Sequence, residues 1–109
     1  MHKILRNYVT PAGKIPFEEW LDGIKDPVTR LRIRRRLDRV ELGNMGDCKS
    51  VGEGVSELKL AFGSGYRIYF AEKDEVIIIL LCAGDKRSQK NDIKTAKMYW
   101  NELKERSDE

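Results

Sequence analysis

The sequence predicts an α+β fold in which two helices precede an antiparallel meander of three strands. The first observation is the alternation of apolar and polar residues from Val55 to Ala83, interrupted by two short turns. The second is a pair of amphipathic segments before the meander, each with a proline at the position that a helix's first turn tolerates. Two helices ahead of such a sheet can cover only one of its faces, so we expect an α+β sandwich.

The N-terminal half supplies one predicted strand and two predicted helices. Residues Lys3–Val9 form the strand, which a Thr-Pro-Ala-Gly turn closes. A short helix begins at Pro16, and its apolar residues follow at helical spacing: Phe17, Trp20, Leu21 and Ile24. A second helix starts from Asp26 as its N-cap, runs to about Leu42 and stops at a glycine. Its predicted buried seam is Ile33, Leu37 and Val40.

The C-terminal half supplies the meander and a last helix. Asn44–Gly54 is polar and glycine-rich, which favours a loop, and three strands follow at Val55–Phe62, Tyr66–Ala71 and Val76–Ala83. The third strand is apolar on both faces, which predicts a central position. Ser88 or Asn91 caps the last helix, whose apolar stripe is Ile93, Ala96, Trp100 and Leu103. The predicted order is β-α-α-β-β-β-α in one domain over residues 1–109, with a polar tail at 106–109 that should fray.

Composition and cysteine usage indicate a folded intracellular protein. Hydrophobic residues make up 40% of the chain and charged residues 36%, which argues against disorder. Cys48 and Cys82 lack metal-site or redox spacing, so we expect two reduced thiols. No apolar leader is visible, and the apolar run at the third strand is far shorter than the roughly 20 residues of a membrane span. We expect a cytoplasmic protein with no membrane partner.

Metal and cofactor chemistry find little support in the residue types. The chain has one histidine, His2, so zinc sites and histidine-based triads are not expected. A magnesium site built from Glu57 and Asp85 is conceivable, but the surrounding cations oppose it. The glycine pairs at 52/54 and 63/65 do not open a helix after a strand, which favours turns over phosphate loops. We expect no metal and no small-molecule cofactor.

Cations concentrate in two regions and suit a phosphodiester ligand. Between Val28 and Arg39 six arginines oppose one acid, Asp38, and arginine favours bidentate contact with phosphate. Four of them are candidate RNA contacts: Arg32, Arg35, Arg36 and Arg39. The same helix surface could instead be merely solvated, or could dock an acidic protein segment. In the second region, Lys59, Arg67 and Lys86 lie on or beside apolar strands.

These cations permit RNA cleavage without a metal. The RNA's own 2′-hydroxyl can attack the adjacent phosphorus if side chains assist deprotonation, stabilise the added negative charge and protonate the leaving 5′-oxygen. In this chain lysine, arginine, tyrosine and carboxylate would have to share those tasks. Arginine remains charged and suits the stabilising task.

Two long segments resemble a known toxin superfamily. GVSELKLAFGSGYRIYF and ILLCAGDKRSQKNDIKTAKMYW are similar to the signature of the RelE/ParE superfamily, and more narrowly to the HigB-like "addiction module killer protein" branch. The upstream pieces FEEWLDGIKD and RRLDRVELGNMGDCK fit the same branch. The resemblance implies a RelE-like sandwich and the toxin of a type II toxin–antitoxin pair. RelE and HigB relatives cut mRNA in the ribosomal A site, whereas ParE relatives inhibit DNA gyrase.

The resemblance also implies site residues and partners. Lys59 matches the basic position after the Glu-Leu pair, and Arg67 matches the arginine of the Gly-Tyr-Arg segment. Lys86 matches the basic position after the last strand. The resemblance makes these three the candidate catalytic residues. Supporting candidates are Glu57, Tyr69, Asp85 and Arg87. The implied partners are a helix-turn-helix antitoxin, the ribosome and mRNA. Two alternatives stay open: a ParE-like gyrase inhibitor, and an inactive domain that binds an antitoxin.

Overall fold

The computed structural model describes residues 2–107 and has the α+β architecture that the sequence predicts. Three helices and five strands follow one another along the chain as β1 (Ile4–Asn7), α1 (Pro16–Asp22), α2 (Pro27–Glu41), β2 (Cys48–Gly52), β3 (Val55–Lys59), β4 (Arg67–Lys73), β5 (Ile77–Gly84) and α3 (Gln89–Ser107).

The five strands form one mixed sheet in the order β1-β5-β4-β3-β2. Strands β2 to β5 pair antiparallel, whereas β1 pairs parallel with β5, in register from Ile4 opposite Ile77 to Asn7 opposite Leu80. The expectation of a wholly antiparallel sheet was therefore wrong at this edge. The reason is topological: α1, α2 and three strands separate β1 from β5, so the pair needs no hairpin and can be parallel. Strand β5 is an interior strand between β1 and β4, as its two apolar faces predicted, and β4 is the middle strand of the five.

Strand β2 lies within the segment that the sequence indicated as a loop. It pairs with β3 from Cys48 opposite Leu58 to Gly52 opposite Val55, with an irregularity after Ser50. As the edge strand it exposes Lys49, Ser50 and Gly52 to solvent, and it therefore lacks the apolar alternation by which strands are recognised.

Helices cover both faces of the sheet and create two cores. On one face α1 and α2 pack their apolar residues, including the predicted seam of α2, against alternate residues of the sheet such as Ile68, Phe70 and Ile78. On the other face α3 contributes its predicted stripe, with Ala96 fully buried, against Tyr69, Ala71 and Leu81. The three central strands are thus enclosed between two apolar layers.

The helix boundaries follow capping chemistry. The Asp26 carboxylate accepts hydrogen bonds from the Val28 N–H at 3.1 Å and the Thr29 hydroxyl at 2.8 Å, which confirms it as the N-cap of α2. Helix α3 begins directly after Ser88, so Asn91 is not the cap. The predicted polar tail is helical through Ser107, and its last two residues lie outside the described residues.

Two further observations concern membranes and thiols. Between residues 2 and 107, no helix combines the length and the apolar character needed to cross a bilayer. Both Cys48 and Cys82 are free thiols, and burial raises the pKa of the Cys82 thiol to about 12.

Candidate functional site

A concave cationic surface lies between α2 and the end of β3; we call it the arginine pocket. It encloses about 510 Å³, and four arginines of α2 and Lys59 of β3 line it together with the segments that follow each element. Its residues are Arg32, Arg35, Arg36, Arg39, Asn44, Gly46, Asp47, Lys59, Ala61 and Phe62. The structure thus brings one candidate catalytic residue together with all four candidate RNA-binding arginines, although β3 and α2 are distant in sequence.

The arginines of this pocket differ in their exposure and in the contacts that their guanidinium groups make within the protein. Arg36 is only 9% exposed, and its guanidinium donates hydrogen bonds to the backbone carbonyls of Asn44 at 3.3 Å and Met45 at 2.5 Å. It therefore shapes the pocket wall by holding the segment after α2. Arg32 lies over the Phe62 ring, 4.0 Å from its centroid, which is a cation–π contact. Lys59 is exposed, with its backbone N–H bound to the Asp47 carbonyl.

A buried ionic network lies beside the pocket, centred on the Glu57 carboxylate; we call it the Glu57 network. Glu57 is 2% exposed and Arg67 is 6% exposed, and the Arg67 Nε lies 3.7 Å from a Glu57 oxygen. The same oxygen accepts hydrogen bonds from the Tyr69 hydroxyl at 3.2 Å and the Gln89 amide at 2.9 Å. Lys49 approaches the other oxygen at 3.9 Å from the solvent side. These donors compensate the carboxylate for its burial.

Because Tyr69 and Arg67 are buried in the Glu57 network, they are poor candidates for direct contact with a ligand. Burial, together with the neighbouring Glu57 carboxylate, raises the pKa of Tyr69 well above its ordinary value, so its phenol stays protonated. The Arg67 Nε is buried and has no hydrogen-bond partner among residues 2–107. In the sheet register Arg67 lies opposite Lys59, and Tyr69 opposite Glu57, so the network adjoins the pocket through neighbouring residue pairs.

The turn between β3 and β4 joins Arg67 to Lys86. Arg67 Nη1 donates to the Gly65 carbonyl at 2.6 Å, and the Lys86 backbone N–H donates to the Ser64 carbonyl at 3.3 Å. Gly65 has a φ of 76°, and a Cβ there would lie 3.1 Å from Arg67 Nη1 and 3.2 Å from the Lys86 Cβ. This close approach requires glycine and places the exposed Lys86 beside the buried guanidinium.

Asp85 and Arg87 lie on a different surface. They line a shallow depression of about 690 Å³ with Trp20, Ser88 and Asp92. Backbone N–H groups of Ser88 and Arg87 donate to the Asp85 carboxylate and hold its pKa below the usual range. The Ser88 hydroxyl donates to Asp92 at 2.5 Å, and burial raises the pKa of that second carboxyl. The position of the Asp85 carboxylate is thus explained by the hydrogen bonds that it accepts in the turn before α3.

The predicted site residues therefore occupy four places rather than one pocket, and Asp85 and Arg87 share the depression already described. Lys59 and the four arginines share the arginine pocket, Glu57, Arg67 and Tyr69 form the buried network, and Lys86 lies at the turn that links the network to α3. Within the part of the chain that the structure describes, no three His, Cys, Asp or Glu side chains are grouped as metal ligands.

Sequence reasoning missed two members of the site. Gln89 contacts Glu57 across 32 positions of sequence, and no local pattern signals such a contact. Phe62 was expected to belong to a strand face, but β3 ends at Lys59 and Phe62 lies at the pocket. The Gly63-Ser64-Gly65 run that follows it was the available signal that the chain leaves the sheet here.

Comparisons with known proteins place the chain in a family. The sequence profile of the phage-derived Gp49-like protein family (DUF891) matches residues 19–104. A protein of Haemophilus influenzae (strain ATCC 51907 / DSM 11121 / KW20 / Rd), described as an uncharacterized protein, is 43% identical over 89 residues, which cover 82% of this chain and 90% of that protein. The Gp49-like family is toxin–antitoxin-associated, which implies an antitoxin partner. The chain belongs to the phage-derived Gp49-like family, within the addiction-module killer group of RelE-like toxins.

Proposed function

We propose that this protein is the toxin of a type II toxin–antitoxin pair, of the HigB-like branch, and that it inhibits translation by cutting mRNA on the ribosome in the cytoplasm. The observation that carries the proposal is the arginine pocket, which Lys59 lines together with four arginines. A pocket so rich in cations suits a polyanion, and phosphate contacts of this kind bind without reading sequence.

The pocket also offers a surface for a nucleobase. Phe62 is partly exposed and carries Arg32 against one face of its ring at 4.0 Å. Aromatic and guanidinium planes are the side chains on which unpaired bases stack. A single-stranded nucleotide could therefore place its phosphate among Arg35, Arg39 and Lys59 and its base against this pair.

The proposed chemistry needs no metal. The 2′-oxygen attacks the adjacent phosphorus, the bond from phosphorus to the 5′-oxygen breaks, and the products are a 2′,3′-cyclic phosphate and a 5′-hydroxyl. In this proposal Lys59 moves protons to or from the reacting oxygens, and the exposed arginines stabilise the extra negative charge of the transition state. Arg67 acts indirectly, because its guanidinium holds the turn that carries Gly65. The neighbouring Ser64 carbonyl of that turn accepts from the backbone N–H of Lys86 and so fixes the position of Lys86.

The test is cleavage mapping in a translating extract. Purified protein is added, and the 5′ ends of a reporter mRNA are mapped by primer extension in the presence and absence of translation. We expect new ends at codons in the ribosomal A site, only when the message is translated. The Lys59→Gln variant should lower the cleavage rate by about a hundredfold or more, the usual contribution of a group that transfers protons.

The matched control is Lys25→Gln, which removes the same charge from an exposed position outside the pocket. It should cut at the wild-type rate. Intact mRNA with arrested growth would refute the proposal. Loss of gyrase-dependent DNA supercoiling in the same preparations would then support the ParE-like alternative, and harmless overexpression would support an inactive antitoxin-binding domain.

A further inference from the structure

A second groove, lined by none of the arginine-pocket residues, lies between α3 and the β1 side of the sheet; we call it the α3–β1 groove. It encloses about 630 Å³ and receives residues from β1, the segment after it, β4, β5 and the C-terminal half of α3. Its residues are Arg6, Asn7, Tyr8, Val9, Lys73, Ile77, Ile79, Trp100, Leu103, Lys104, Arg106 and Ser107. The arginine pocket instead involves β3, which lies near the opposite edge of the sheet.

The charged residues of this groove all have one sign and lie on both of its sides. Arg6 and Lys73 come from the sheet, Lys104 and Arg106 come from α3, and all four are exposed. No aspartate or glutamate of the described residues lines the groove. Arg106 forms an ion pair with Glu102 at 3.0 Å, whereas the other three cations have no ion-pair partner between residues 2 and 107. Within residues 2–107, three of the four cations that line the groove are therefore free to pair with a ligand.

The interior of the groove is apolar. Ile77, Ile79, Trp100 and Leu103 line it, and Val9, also in the lining, is 39% exposed. In the sheet, β5 with its two isoleucines lies between β1, which carries Arg6, and β4, which carries Lys73. An apolar floor between charged rims is the complement of an amphipathic segment whose apolar stripe is flanked by acids. A ligand with only charge would leave this floor in contact with water.

The aromatic rings of the groove, like Phe62 of the arginine pocket, already have neighbouring side chains. Lys104 lies over the Trp100 ring, 5.5 Å from its centroid. Tyr8 stacks on Tyr99 with ring centroids 4.8 Å apart, and its hydroxyl donates to Glu102 at 2.5 Å. The aliphatic side chains of the floor offer the contact area that an apolar stripe needs, and binding of a single-stranded oligonucleotide tests the nucleobase alternative.

We propose that the α3–β1 groove docks an acidic amphipathic helix of a partner protein. Its apolar side chains pack on Ile77, Leu103 and their neighbours, and its carboxylates meet the cations of both rims. This surface is independent of the arginine pocket, so a partner could bind here while the pocket is occupied. The proposal goes beyond the proposed function and does not require that the protein cut RNA.

Fluorescence anisotropy with the full chain tests the proposal. The probe is a labelled peptide of about 14 residues, the length of an average helix, in which leucines form one stripe and glutamates flank it. The comparison peptide has the same composition with leucines and glutamates interspersed. We expect saturable binding of the amphipathic peptide only, weakened by salt. The Arg6→Glu/Lys73→Glu/Lys104→Glu variant should bind it at least about tenfold more weakly.

The matched control is Lys14→Glu/Lys25→Glu/Lys94→Glu, which makes the same change in net charge at exposed positions outside the groove. It should bind as the wild type does. If the charge-reversed variant fails to fold, Lys73→Gln/Lys104→Gln replaces it, with an expected loss of about threefold.

Four results would overturn the proposal. They are no binding of the amphipathic peptide, equal binding of the interspersed peptide, equal loss in the control variant, and tighter binding of a single-stranded oligonucleotide that the groove variant abolishes. A fifth result, self-association of the chain that the groove variant abolishes, would assign the groove to a second copy and would overturn the acidic helix as well.

Discussion

Removal of the Arg67 side chain should lower the stability of the fold markedly, although the family motif nominates this residue for catalysis. In Arg67→Met the Glu57 carboxylate, 2% exposed, loses the cation 3.7 Å from its oxygen. At that distance two charges attract by about 4 kcal/mol with an effective dielectric constant near 20. The breaking of a buried pair typically costs about 3–5 kcal/mol because the remaining charge is buried alone. Lys49 lies 3.9 Å away, but its side chain is 67% exposed, so water screens it.

Urea unfolding followed by tryptophan fluorescence measures this effect. We expect the free energy of unfolding of Arg67→Met to fall by about 3–4 kcal/mol, a large share of the roughly 5–15 kcal/mol of a small domain. Glu57→Gln/Arg67→Met should recover most of that loss, since it removes the unpaired charge. Arg87→Met, at an exposed position, should change stability by no more than about 0.5 kcal/mol. A loss below about 1 kcal/mol, or no recovery in the double variant, would refute this reasoning.

Two further predictions concern titration and thiol reactivity. Burial raises the pKa of both Tyr8 and Tyr69 above 10.0, so their contribution to stability is complete below about pH 10 and decreases as the pH rises further. The urea midpoint of unfolding should therefore fall steeply above about pH 10, and Tyr69→Phe should reduce that fall. An unchanged slope in Tyr69→Phe would contradict the prediction. Cys82, buried with a pKa of about 12, should resist iodoacetamide at pH 8 while the half-buried Cys48 reacts first, and both thiols should react in urea. Mass spectrometry of the modified peptides measures the two rates. Faster modification of Cys82 than of Cys48 would refute the prediction.

Apolar periodicity was sufficient to predict most of the fold. The seam of α2 and the stripe of α3 follow from residues three and four apart, and the interior position of β5 follows from a strand that is apolar on both faces. Strand β2 could not be predicted in this way, because an edge strand with exposed Lys49 and Ser50 carries no apolar alternation. The parallel pairing of β1 depends on which edge of the sheet is open, and local sequence does not contain that information.

The site was harder to predict than the fold. A motif can nominate Lys59 and Arg67 as cations on one strand pair, but it cannot show that one is exposed in the arginine pocket and the other is enclosed with Glu57. Likewise, six arginines on one helix look alike in sequence. Only the packing after α2 distinguishes Arg36, whose guanidinium is bound to backbone carbonyls, from Arg32 beside Phe62. Burial is a property of the assembled chain, and it decides which cations can meet a ligand.

The most direct test of the proposed chemistry changes the RNA rather than the protein. Once the cut codon is mapped, a reporter mRNA is prepared with a single 2′-deoxyribose at the nucleotide on the 5′ side of the scissile phosphate. If the 2′-hydroxyl is the nucleophile and the arginine pocket supplies the charge and protons, cleavage at that position should stop while translation up to it continues. Undiminished cleavage of the deoxy-substituted message would contradict the mechanism.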